Sequence, residues 1–190
     1  MNTADPTAPG WLTAAPLSVK WAVTLFLGSI GIAYVFGVLM VTLWVGLTPE
    51  KVAQAYRPPQ PSAAPEQLQL TEQPIDLDEA LGEEEVHQID ERLLIQDTHV
   101  HVPMYALIAL ALSAISVGLR GPSRMKIVLV FALFLGPIID FLGMWLTRLV
   151  ASGFSYLTLA GGWLMAASYA VVAGAALWQM WFTDHRRLHQ

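Results

Sequence analysis

The residues best equipped for chemistry are two histidines one position apart, His99 and His101, with Asp97 ahead of them and Pro103 and Met104 behind. Side chains at i and i+2 lie about 200° apart on a helix but point the same way on an extended chain. Pro103 favours extension here, because a proline pushes the residue before it out of the helical region. It also suits the first position of a helix starting there. His99 and His101 are therefore expected to face one way above a helix that opens at Pro103, with Met104 as a soft third ligand. Two imidazoles and a thioether suit copper better than magnesium or calcium. Haem is the other cofactor the pair would serve, although no histidine lies in another apolar run; His185 and His189 follow the last one. An imidazole is amphipathic, so a second reading stays open in which the pair is only an interfacial anchor.

Asp140 is the second candidate, an acid inside an otherwise apolar run. Such a group costs roughly 2.5–3.5 kcal/mol on insertion scales and is a functional hypothesis by default. At 1.5 Å per residue it lies about 13 Å below the end of its run at Leu149. Arg148 is expected to reach down towards it. The purely structural alternative is a protonated acid bonded to Ser29, Tyr34, Ser168 or Tyr169 and locking helices together. No P-loop, Gly-x-Ser-x-Gly or His-Glu-x-x-His motif is present, so nothing points to an enzyme.

The elements that hold these residues follow from composition. Of 190 residues, 55% are hydrophobic and 13% charged, against the roughly 25–35% charge that a water-facing surface needs. Four long, nearly uncharged stretches stand out: Trp21–Gly46, Pro103–Leu119, Ile127–Leu149 (broken by Asp140, with Arg148 at its end) and Tyr156–Phe182. A helix needs about 20 apolar residues to cross a bilayer. The expected fold is an all-α membrane protein, a four-helix transmembrane bundle with a long extracytoplasmic loop that contains a short amphipathic helix. The domains are a disordered lead over 1–17, a first span over 18–46, an acidic loop over 47–98, three spans within 99–183 (103–119, 126–149 and 156–182) and a tail over 184–190.

Orientation rests on charge. Lys20, Arg120, Arg124, Lys126, Arg186 and Arg187 fall at one end of the spans, while loop 47–98 carries 12 acids against Lys51, Arg57 and Arg92. By the positive-inside rule both termini are cytoplasmic, in a bacterial inner membrane, and the loop is outside. The overall charge of −5 comes from that loop and gives no reason to expect nucleic acid. Within it, residues 49–74 hold six prolines and read as extended. Residues 76–95 read as the amphipathic helix, with Val86, Ile89 and Leu93 on one face and His87 beside them.

Small residues recur every four positions in the first span at Ser29, Ala33 and Gly37. They recur again in the fourth at Gly162, Ala166, Ala170 and Gly174. Such stripes let helices approach closely and predict one bundle. The partners implied are the lipid bilayer and other membrane protein subunits.

The segment THVHVPMYALIALALSAI, and the chain onward through Trp181, resembles small bacterial multi-span membrane proteins whose second span opens with His-x-His. That resemblance implies a multi-span fold and carries no particular activity. A fainter similarity is to the histidine-bearing second span of haem-copper oxidase subunits, with Pro103 standing where those have glycine. Three functions follow as expectations. The first is a non-enzymatic membrane protein with a copper or haem site at His99, His101 and Met104, accessory to respiratory or copper-handling machinery. The second is a ligand-free structural or assembly subunit, and the third a small proton-coupled transporter using Asp140.

Overall fold

The computed structural model describes residues 10–57 and 89–183. Five α-helices follow one another: α1 (Leu17–Trp44), α2 (Pro49–Tyr56), α3 (Glu91–Val117), α4 (Ser123–Leu149) and α5 (Ser155–Trp181). A single 3-10 turn, Ser152–Phe154, leads into α5. α1, α3, α4 and α5 are long and apolar enough to cross a membrane. The protein is a multi-pass membrane protein built from helices, as its composition requires.

α4 and α5 form the heart of the packing. Their backbones approach at Gly136, Gly143 and Gly161, where no side chain stands between them. A Cβ placed on Gly136 would lie 2.9 Å from the Met165 nitrogen, and one on Gly161 would run into the backbone of Asp140. Pro137 is buried in the same contact. The face of α5 that packs is therefore Thr158, Gly161, Met165, Ser168, Val172 and Ala176. The stripe expected from the sequence lies beside it: Gly162 and Ala166 are half-buried, Ala170 and Gly174 exposed. Spacing alone names the period of a stripe and not the angle at which it meets a neighbour.

α3 packs through Ala109, Leu112, Ser113, Ile115 and Ser116. At its far end the Gln179 amide clamps the turn to α4, accepting from the Arg120 nitrogen at 2.7 Å and donating to the Arg120 carbonyl at 3.3 Å. α1 touches the rest along one edge. Lys20 Nζ donates to the Met180 carbonyl at 3.2 Å, Trp181 Nε1 donates to Thr24 Oγ1 at 3.0 Å, and Leu27 is buried. Its stripe of Ser29, Ala33 and Gly37 is exposed.

Three local expectations are corrected. Residues 10–16 are not a loose lead: Leu12 is fully buried and its nitrogen donates to the Gly118 carbonyl at 3.2 Å. The start of the proline-rich stretch is not extended, because Thr48 caps α2 by accepting from the Lys51 nitrogen and Pro49 takes the first helical position. The chain reaches Thr48 through Gly46, whose φ of +86° suits glycine. The helix carrying the histidines begins at Glu91, so Pro103 lies inside it and does not start it. Asp90 caps that helix, accepting from the Leu93 nitrogen at 2.7 Å. Capping of α3 far upstream outweighs the single backbone bond that Pro103 removes. Of the amphipathic helix expected over 76–95, residues 76–88 and His87 lie outside the described residues, and 91–95 form the first turn of α3.

Candidate functional site

At the loop end of the bundle, α2 lies across the mouth. Val52, Ala55 and Tyr56 pack with Leu94, Phe141 and Met144, with Tyr105 and Trp145 at the border. Both stems of the loop are held there. The Ile89 nitrogen donates to the Ala55 carbonyl at 2.8 Å. Arg148 Nη1 donates to the carbonyls of Tyr56 (3.3 Å) and Ile89 (3.5 Å), and Nη2 lies 3.8 Å from Glu91 Oε1. Arg148 thus reaches up to the loop stems and not down to Asp140, a correction that follows from three backbone and carboxylate acceptors waiting above it.

The helical backbone from Asp97 onward separates the histidines. His99 and Met104 are exposed on the outer side of α3, while His101 is half-buried on the inner side. The extended chelate of His99, His101 and Met104 is therefore not assembled. His101 instead pairs back one turn, its Nδ1 lying 2.9 Å from Asp97 Oδ1 and 2.9 Å from the Asp97 carbonyl. Its ring lies 5.6 Å from that of Tyr105, one turn further in, and Tyr105 lies 5.9 Å from Phe141. Asp97, His101 and Tyr105 at i, i+4 and i+8 make one stripe. That spacing was available in the sequence and was obscured by the proline. Among the described residues no three histidine, aspartate or glutamate side chains gather as a metal site.

Asp140 stands on α4 beside Phe141, backed by Gly161 of α5. Its expected partners are otherwise engaged or elsewhere. Ser168 Oγ donates to the Met165 carbonyl at 3.0 Å, Ser29 is exposed, and the Tyr169 hydroxyl is buried without a partner. Around the acid, within electrostatic reach, stand Tyr34 of α1, Tyr56 of α2, and Tyr105 and Asp97 of α3. Tyr169 of α5 joins them through Tyr34, ring to ring at 6.5 Å. Outside the spans, burial pushes the Tyr56 phenol up from its ordinary value, and the nearby charges of Asp140 and Asp97 push it further the same way. Of these tyrosines Tyr34 and Tyr169 stand among the partners expected from the sequence, whereas Tyr56 and Tyr105 were missed, because only the assembled bundle brings α2 and α3 towards α4.

Comparison with curated proteins and with solved structures finds no match. The family comparison does, over residues 46–187, a stretch that begins where α1 has ended and takes in α2 to α5 together with the loop. The packed mouth and the α4–α5 contact are thus features of the matched unit, and the chain belongs to the Aq_1264_TM family, whose members carry this transmembrane helical domain.

Proposed function

We propose that the protein is a non-enzymatic accessory or assembly subunit of a larger complex in a bacterial inner membrane, with both termini cytoplasmic and the acidic loop outside. The observation that carries this reading is the position of α1. It precedes the family domain, and only 6% of its apolar window is buried. Gly28, Gly31, Ile32, Val35 and Phe36 line an apolar groove on it, and an added Cβ at either glycine would meet nothing within 4 Å. A groove floored by glycine admits the backbone of another helix. The occupant assigned is one transmembrane helix of a partner subunit. The test is the mass of the assembly extracted in native lipid discs, with wild type compared to a Gly28→Leu, Gly31→Leu double variant. A larger assembly that the double variant loses, at unchanged stability of the chain itself, is the expected result. A wild-type chain that runs alone sinks the reading.

A copper or haem role has one observation in its favour. Asp97 engages Nδ1 of His101 and leaves Nε2 for a ligand, the arrangement that orients metal-binding histidines. The chain then supplies one ligand, and the others come from the partner subunit. Copper, iron and haem content of the intact assembly should fall in His101→Ala and hold in His99→Ala. Equal content in all three proteins removes this role.

A further inference from the structure

Asp140 is the one acid or base in the middle of the described spans; its backbone lies against Gly161 of α5, and side chains of α1, α2 and α3 stand within electrostatic reach. α1 contributes Tyr34, α2 Tyr56, and α3 Tyr105 with Asp97 and His101 above it. Three of the chain's five tyrosines thus stand within electrostatic reach of a single carboxylate, and a fourth, Tyr169, lies ring to ring with Tyr34 at 6.5 Å. Among the described residues no basic side chain is placed to neutralise it. Arg148, on its own helix, bonds to the Tyr56 and Ile89 carbonyls, and Lys20 bonds to the Met180 carbonyl at the opposite end. α5 brings no charged residue among its described positions.

An ionised carboxylate without a cation partner is costly at this depth. The group it can take most cheaply is a proton. Phenols suit such a site because each can donate to the carboxylate when it is bare and accept from the acid when it is protonated. The Tyr169 hydroxyl, on a residue only 8% exposed, is buried with no hydrogen-bond partner and stands one ring contact away, behind Tyr34. Tyr105 connects the site to the mouth: its ring lies between that of His101 (5.6 Å) and that of Phe141 (5.9 Å), next to Asp140. Towards the basic end the way is closed by Leu112, Leu133, Val172 and Ala176, all with 1% exposure or none.

We propose that Asp140 is a reversible proton-binding site, filled from the loop-bearing face by way of Tyr105 and closed to the opposite face. A hydronium ion on the loop-bearing side gives up the proton and becomes water, one O–H bond forms on a carboxylate oxygen of Asp140, and any proton passed on by the Tyr105 hydroxyl is replaced from that side; release is the reverse. This site stands apart from the partner-helix reading, since α1 contributes to it only Tyr34 and the groove at Gly28 and Gly31 lies elsewhere.

The experiment is infrared spectroscopy of the full chain in lipid, following the carboxylic C=O band between about pH 5 and about pH 9, a window above ordinary carboxyl titration, so that water-exposed acids stay ionised throughout it. A band should appear as pH falls, vanish reversibly as it rises, and be missing in Asp140→Asn. Should that variant fold poorly, Asp140→Glu serves instead, by moving the band without abolishing it. Tyr105→Phe, which keeps the ring, should slow the band's exchange in heavy water by about tenfold or more, whereas His99→Ala on the outer side should leave the rate alone. An Asp140 band that stays constant over the whole range marks a fixed proton that only locks helices, and overturns the proposal. So does exchange in Tyr105→Phe at the wild-type rate.

Discussion

α1 and α4 are close in apolarity, with mean hydropathy 2.1 and 2.4 over their most apolar windows, yet 6% of one window and 39% of the other is buried. The difference lies in what their glycines meet. Gly28, Gly31 and Gly37 of α1 have nothing within 4 Å of an added Cβ, while Gly136 and Gly143 of α4 lie against the α5 backbone. Apolarity takes a helix into the bilayer, where lipid is as apolar as leucine. Packing inside the bilayer comes from close backbone approach. The same contrast recurs within α5, where Gly161 is packed against Asp140 and its neighbour Gly162 is open.

Substitution should separate these glycines sharply. Gly161→Leu is expected to have the largest effect, a loss of about 3 kcal/mol at the upper end of overpacking costs, read as thermal unfolding in detergent. Gly162→Leu, one residue on, should be nearly silent; equal losses would break the comparison. Next comes Arg148→Ala, which removes charged bonds to two carbonyls and should cost about 2 kcal/mol locally. Amide exchange at Ile89 should quicken while exchange across the α4–α5 contact holds, which would show that mouth and core open separately.

A smaller effect should appear in alkali. The folded chain holds the Tyr56 proton more tightly than the unfolded chain does. Its contribution is therefore complete below about pH 10, the ordinary phenol value, and is lost as pH rises beyond that towards the folded value. Tyr56→Phe should keep α2 seated further into alkali, with one fewer late-ionising phenol in the ultraviolet difference spectrum. The smallest effect belongs to α1: Gly31→Leu should change the stability of the isolated chain by no more than about 0.5 kcal/mol. A larger loss would mean that α1 is as much part of the packed unit as α4.

The four spans were legible because a bilayer imposes length and apolarity, and these are counted directly. Their facing was less so. The fourth stripe was read one residue away from the packed face, at Gly162 and not Gly161, since two neighbouring glycines give the same period. Pro103 was read as a helix start from its local preference, which the Asp90 cap and the continuing apolar helix override. That one misreading turned His99 and Met104 towards the site when they face outward. Asp140 was legible from its type and depth alone. So were Tyr34 and Tyr169 as candidate partners, but Tyr56 and Tyr105 were not, because their approach to it depends on how α2 and α3 pack against α4 and on no single segment.

The fastening of the loop stems bears on how freely this chain can vary. The Ile89–Ala55 bond and the Arg148 contacts close the connection between Arg57 and Ile89 at its base. Once the base is set, the entropy of closing the connection grows only with the logarithm of its length, by about 0.6 kcal/mol for each doubling. Lengthening, shortening or recoding that segment therefore asks little of the membrane domain beneath it. What passes between the stems can be recoded while the helices that carry it stay as they are.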